Sequence, residues 1–212
     1  MSRRAVAALC AAFAFALSSG AIAATLSAFV LNPAGQAVAD AAVVLEPLTP
    51  VALRGRPSAA IEQRGREFIP FVTVVQAGTP VDFPNNDTIR HHVYSFSPAK
   101  QFEIKLYAGK PGQPIVFDKP GMVVIGCNIH DWMEAYVLVV ETPYFAKTAA
   151  DGHAQLRNVP PGRYRLRLWH PLQKAEPALR EIEVSESQAP LRLVLDVKPR
   201  ERKPHAEDAD HY

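Results

Sequence analysis

The sequence predicts an all-β protein, and three observations carry that reading. Proline is abundant, with 19 in 212 residues. No segment sustains the apolar period of a long helix, while short apolar runs recur at close spacing between clusters of Gly, Pro, Asn and Asp. About 190 residues remain once a leader is set aside, room for one large domain or two small ones.

The first residues follow the secretory pattern: Arg3 and Arg4, an apolar stretch from Ala5 to Leu17, then Ser-Ser-Gly and an Ala21-Ile22-Ala23 cleavage site. We therefore expect a signal peptide over residues 1–23 and a mature chain from Ala24. Arg3-Arg4 lacks the apolar residues that should follow a twin-arginine signal, so general secretion is the expected route. Leu9-Cys10 lacks the small residue that precedes a lipoprotein cysteine. The leader's apolar run is too short and alanine-rich to span a bilayer, and no later segment approaches the roughly 20 apolar residues that spanning requires. The expected location is secreted or periplasmic, with no membrane span. Loss of two arginines and no acid takes the formal charge from +2 to neutral, which implies no nucleic-acid-binding surface.

Strand signals then follow in order. Residues 24–47 read as a hairpin-like unit, Leu26 to Leu31 and Ala41 to Leu45 around an Asn32-Pro33-Ala34-Gly35 turn. Residues 48–60, rich in proline and arginine, read as a linker. Across 61–140 come the runs Val72 to Val75, Val81 to Phe83, His91 to Phe96, Phe102 to Leu106, Ile115 to Phe117, Met122 to Cys127 and Ala135 to Val140. Short strands at this spacing suggest a sandwich or barrel. Residues 141–197 repeat the pattern, with an Asp151-Gly152 hairpin signal and Tyr164, Leu166 and Leu168 alternating with Arg163, Arg165 and Arg167, a strand with one buried and one basic face. Residues 198–212 are wholly polar and are expected to be disordered.

Signal-peptide removal also takes Cys10 and leaves Cys127 as the only cysteine. A lone thiol can be a small buried hydrophobe, but unpaired in an oxidising compartment it is a liability unless something occupies it. Its neighbours supply the occupant. Cys127-Asn128-Ile129-His130-Asp131-Trp132-Met133 places a thiolate, an imidazole and a thioether at Cys-x2-His-x2-Met spacing, between two strand-like runs. A trigonal His2Cys set with a weak axial Met is the donor set of an electron-transfer copper site, and such soft donors suit copper better than zinc or iron. A second histidine arrives from another strand in Asn85-Asn86-Asp87-Thr88-Ile89-Arg90-His91-His92. Taken singly, each histidine reads as an ordinary strand-end residue, and Met133 and Trp132 as core. Only the joint spacing makes a site.

With these residues in hand, the chain resembles the cupredoxins, the small blue copper proteins. The matching residues are Phe68-x-Pro70, Val74-x-x-Ala77-Gly78-Thr79, Val81-x-Phe83-x-Asn85, His91, and Cys127-x2-His130-x2-Met133, and the loop looks most like that of amicyanin. The resemblance covers 61–140. It implies a Greek-key β-sandwich with one type 1 copper held by His91, Cys127 and His130, with Met133 axial. It also implies an apolar patch of Trp132, Ile129 and Ile89 around His130, where a redox partner, a c-type cytochrome or a dehydrogenase, would dock transiently. Two departures stand out. His92 occupies the place of an asparagine that braces the ligand loop in the family, so it either braces the loop differently or is the alternative ligand. The spacing of six from Asn85 favours His91. Asn128, Ile129 and Asp131 replace loop prolines of the amicyanin type.

Thr148-x-x-Asp151-Gly152, Leu156-x-x-Val159-Pro160-x-Gly162-x-Tyr164 and Trp169-His170-Pro171 resemble the carboxypeptidase regulatory-like, transthyretin-like sandwich, and residues 24–47 resemble its first hairpin. The economical arrangement places the cupredoxin unit inside, or packed beside, this second small β-sandwich. The whole-chain pattern resembles exported bacterial methylamine utilization proteins, which implies a redox context. His153 and His170 have no acid or cysteine spaced to join them as a second metal site, and His205 and His211 lie in the polar tail. The leading expectation is a periplasmic electron carrier or redox adaptor, not an enzyme, because four protein ligands leave no open substrate position. A nitrite reductase-like oligomer sharing histidines between chains is compatible with the ligand set. The alternatives are a copper storage or delivery module that never cycles, and a structural or carbohydrate-contacting sandwich.

Overall fold

The computed structural model describes residues 23–49 and 58–200. The expected signal peptide, most of the 48–60 linker and the tail beyond residue 200 lie outside them. Among the described residues the chain contains strands and turns but no helix. It opens with β1 (Ala24–Leu31) and β2 (Ala42–Pro47). Ten strands follow: β3 (Ala59–Ala60), β4 (Glu62–Arg64), β5 (Glu67–Ile69), β6 (Val72–Gln76), β7 (Thr79–Asp82), β8 (His91–Ser97), β9 (Lys100–Tyr107), β10 (Ile115–Phe117), β11 (Gly121–Gly126) and β12 (Glu134–Val140). The chain closes with β13 (Phe145–Lys147), β14 (His153–Val159), β15 (Gly162–Trp169), β16 (Arg180–Val184) and β17 (Leu191–Val194).

The middle strands build one sandwich. A five-stranded sheet of order β6-β12-β11-β8-β9 faces a three-stranded sheet β10-β7-β3, and β4-β5 forms a separate hairpin. Phe68, Val81, Phe83, Val93, Phe117, Val123, Ile125, Ala135, Val137 and Val139 fill the space between. The two ends of the chain build a second sandwich together, from the sheets β14-β1-β17 and β13-β2-β15-β16. Its core comes from both ends: Leu26, Val30, Val43 and Leu45 pack with Leu156, Tyr164, Leu166 and Leu193.

Alternation decides which face of each strand goes inward. In β1, Ala24, Leu26, Ala28 and Val30 are buried and the residues between them are not. In β15, Tyr164, Leu166 and Leu168 turn inward while Arg163 and Arg165 stay exposed. Two strands break the alternation for a reason. In β2, Val43 and Leu45 face the strand's own core, whereas Ala42 and Val44 join Phe71, Val72, Leu138, Val140 and Trp169 in a third apolar layer. In β12, Val137 and Val139 face the inner core and Leu138 and Val140 join the same layer. The continuous apolar runs of β2 and β12 are therefore those of strands covered on both sides. Each fully buried Val or Leu contributes about 1.5–3 kcal/mol, so this layer holds the two sandwiches together.

Two expectations are corrected. Residues 24–47 do not form a two-stranded hairpin: the turn exists, with the Asn32 side chain accepting the Ala34 and Gln36 amides and Gly35 at φ 81°. Beyond the Leu31–Ala37 bridge, however, the chain crosses to the opposite sheet, because β1 pairs with β14 and β17 while β2 pairs with β13 and β15. Likewise Asp151-Gly152 turns the chain, but it joins β13 and β14 in different sheets. In β9 the expected alternation of Phe102, Ile104 and Leu106 holds only in part. The register slips between His91 opposite Tyr107 and Val93 opposite Ile104, which leaves Leu106 51% exposed and turns Tyr107 toward the core instead.

Candidate metal centre

Three elements bring the ligands together. Residue 127 follows the last residue of β11, and Gly126 pairs with Glu134 at the start of β12, so the loop from Cys127 to Met133 is clamped at its base by sheet hydrogen bonds. The Met133 amide donates to the His130 carbonyl at 2.9 Å, which tightens the loop into a turn. His91 begins β8, whose Tyr94 pairs with Gly126 beside the loop.

His91, Cys127 and His130 are all buried, and their ligand atoms lie within 4.8 Å of one another. The His91 Nδ1 is 4.0 Å from the Cys127 sulfur, inside the roughly 4.3 Å that one metal–sulfur and one metal–nitrogen bond of ordinary length can span. The His91 and His130 rings meet edge-on at 5.1 Å. Met133 is 2% exposed and packs in the same core cluster as Cys127. A buried thiolate, two imidazoles and an adjacent thioether fit a soft metal ion better than they fit a hydrophobic core. Among the described residues no other group of His, Cys, Asp and Glu converges this way.

The electrostatics favour the thiolate at Cys127 but a proton on His91, which a metal must displace. Burial alone would raise the Cys127 thiol, but the His91 ring and the backbone N–H groups of Ile129, His92 and His130 outweigh it and hold the thiol below its ordinary range. Burial alone would lower His91, yet the Cys127 sulfur and then the Asp87 carboxylate outweigh it and raise the ring above its ordinary value.

The pleat separates the two adjacent histidines. Neighbours on a strand point to opposite faces, so only one can face Cys127. That one is His91, fully buried; the His92 Nε2 lies 3.0 Å from a Glu103 oxygen and its ring meets Tyr94 at 5.8 Å. Of the residues expected around the ligand edge, Trp132 packs its ring 5.0 Å from that of His130 and Ile129 is 49% exposed. Ile89 is half-buried on the loop before His91, its carbonyl accepting the Asn85 side-chain amide. His153 instead packs on the Phe29 ring at 4.9 Å, and His170 is buried, its Nδ1 accepting the Leu172 amide.

Asp87 is the residue that sequence reasoning missed. Its Oδ2 is 2.7 Å from the His91 Nε2 and also accepts the Arg66 amide, while its Oδ1 accepts the Gly65 amide at 2.5 Å. With Nε2–H donating to Asp87, the His91 Nδ1 lone pair is left facing Cys127, the usual role of a carboxylate behind a ligating histidine. Its one signal was an acid four residues before the histidine. Asn85 braces the same loop: its side-chain amide donates to the Ile89 and Tyr107 carbonyls, and its Oδ1 accepts the Asp87 amide. The Tyr107 hydroxyl donates to the Phe83 carbonyl at 2.6 Å, and burial pushes it up to about 12.

No family model matches the chain, and no curated protein does. Similar solved structures include a copper-containing nitrite reductase from Thermus scotoductus SA-01, 26% identical over 46% of this chain and 26% of its own, with a TM-score of 0.38. A purple cupredoxin from Nitrosopumilus maritimus is 21% identical over 39% of this chain and 100% of its own, with a TM-score of 0.35. An oxidised variant of amicyanin is 16% identical over 39% of this chain and 82% of its own, also at 0.35. This chain therefore spans about a quarter of the nitrite reductase's length.

Proposed function

We propose that the protein is an exported type 1 copper protein that acts as an electron carrier or redox adaptor, with His91, Cys127, His130 and Met133 as its ligands. The convergence of three buried donors, one of them a thiol held below its ordinary range, carries this reading. Copper would supply a single-electron couple. The chain does the rest: β8 and the clamped 127–133 loop hold the donors in place in either oxidation state, and Asp87 keeps the His91 ring turned. With four protein donors no position is left open for a substrate, which favours transfer over catalysis. The Ile129 and Trp132 edge beside His130 would meet a partner through a small, transient interface.

The test is to add Cu(II) to the chain from Ala24 onward and record visible and EPR spectra for the parent, His91→Ala and His92→Ala. We expect an intense blue site in the parent and in His92→Ala and none in His91→Ala. A site that survives His91→Ala refutes the ligand set, and a colourless protein that holds only Cu(I) turns the reading to storage or delivery.

A further inference from the structure

The two sandwiches stack four sheets deep. The apolar layer of Ala42, Val44, Leu138 and Val140 sets β13-β2-β15-β16 against the five-stranded sheet. That leaves β14-β1-β17 as one end of the stack, with its inner side on the outer core and its other side open among the described residues. Sheets pack about 10 Å apart, so this end face lies about 20 Å beyond the five-stranded sheet that carries the metal loop.

The pleat selects what the end face shows. Outward positions alternate with core ones: Phe29 and Leu31 on β1, His153 and Arg157 on β14, Arg192 and Val194 on β17. Phe29 stands opposite His153 on one side and Arg192 on the other, and Leu31 stands opposite Val194, which is 63% exposed. The Phe29 ring rests 4.9 Å from that of His153. Two arginines and a histidine thus edge an apolar centre, and none of the three strands carries an acid. Elsewhere in this sandwich the arginines are matched: Arg163 lies 2.6 Å from Glu181 and Arg167 4.0 Å from Glu46. Arg157 instead donates to the neutral Gln155 side chain at 2.9 Å, and Arg192 meets no carboxylate among the described residues.

The complement of such a face is acidic with an apolar centre. A lipid surface is the poorer match, because two arginines near an anionic bilayer are worth only about thirtyfold in affinity. On a protein each can bond a carboxylate bidentately, and aromatic and arginine side chains are those that dominate protein interfaces.

We propose that the outward face of β14-β1-β17 is a docking surface for an acidic protein, which seats an apolar side chain on Phe29, Leu31 and Val194 and carboxylates on Arg157 and Arg192. Three strands make a patch only about 15 Å wide, so the contact is small and transient. A partner seated there leaves the Ile129 and Trp132 edge free. The surface stands whether or not the copper reading holds; with copper bound, the protein is held at one end and exchanges electrons at the other.

The test uses the metal-free protein and a glutamate–tyrosine copolypeptide at low salt. The copolypeptide should shift the amide signals of residues 27–31, 153–157 and 191–194 and leave those of residues 127–133 in place. Arg157→Gln/Arg192→Gln should weaken binding about tenfold. The copolypeptide should also bind several-fold tighter than poly-L-glutamate, a preference lost in Phe29→Thr and reduced in Val194→Ser, whose side chain is already exposed. Shifts centred on residues 127–133, or binding indifferent to the arginine substitutions, overturn the surface. Tighter binding of polygalacturonate or of phosphatidylglycerol vesicles overturns the protein partner. Signals of the face that move when residues 201–212 are deleted, and with them Glu207, Asp208 and Asp210, overturn it too, because the chain's own end then occupies the face. Failure to form a blue site refutes the copper reading alone and leaves these results standing.

Discussion

At the scale of single residues, Asp87 is the most consequential side chain that donates nothing to a metal. Three donors converge on its carboxylate, which lies 12% exposed against a fully buried His91 ring. Asp87→Ala removes a charge-assisted bond from a buried group and should cost the metal-free protein about 1.5–3 kcal/mol, measured by urea unfolding. Burial opposes the ionised carboxylate, but the Arg66 amide, His91 and the Gly65 amide together hold Asp87 below its ordinary 3.8. Its contribution is therefore complete above about pH 4 and is lost as pH falls through the lowered value. His91 has the opposite sign. Raised above its ordinary 6.5, it stabilises fully below that pH and loses its contribution as pH rises through the raised value. Cys127, held below its ordinary range, gains its contribution as pH rises and so opposes the loss at His91. The clear signature is Asp87's, a metal-free stability that rises with pH up to about pH 4, whereas copper, which must displace protons from His91 and Cys127, should bind more tightly as pH rises. A rise of the same size in Asp87→Ala would contradict this assignment.

At the scale of elements, alternation made the strands legible but not their partners. The sequence places β1, β8, β11, β12 and β15 close to where they form, because inward and outward residues differ in kind along each. It does not reveal that β1 and β2 part company, since the strands that claim them, β13, β14, β15 and β17, lie more than 100 residues later. The choice between His91 and His92 was legible only as a spacing; the pleat settles which side chain faces Cys127. Asp87 escaped because nothing in a local pattern says that the turn between β4 and β5 will dock its Gly65 and Arg66 amides on that carboxylate. Turns show the same limit. Asp151-Gly152 announces a bend, and the fold adds a second demand: Gly152 has φ 76°, and a Cβ there would lie 2.6 Å from the Val30 carbonyl oxygen. Gly152→Ala combines a strained backbone with a clash against β1 and should destabilise by about 2 kcal/mol or more. A thermal midpoint unchanged by the substitution would show that β1 and the turn can move apart freely.

At the scale of the whole molecule, the outer sandwich closes only when both chain ends meet around the inner one, and the layer of Ala42, Val44, Phe71, Val72, Leu138, Val140 and Trp169 makes the two cores mechanically continuous. A ligand that binds only the folded inner sandwich should therefore stabilise the outer one as well. The chain's two tryptophans provide the reporters, Trp132 packed on His130 and Trp169 on β15 within the shared layer. In Trp132→Phe, fluorescence reports on Trp169 alone. At copper about 100 times above its dissociation constant, linkage supplies about 2.7 kcal/mol to whatever unfolds with the site, so the Trp169 transition should move up with the inner sandwich. Leu138→Ala removes a buried side chain from the layer, at a cost of about 2–5 kcal/mol, and should shrink that shift by loosening the coupling. A Trp169 midpoint indifferent to copper while the layer is intact would mean that the sandwiches unfold independently, and that the apolar runs of β2 and β12 serve packing without cooperativity.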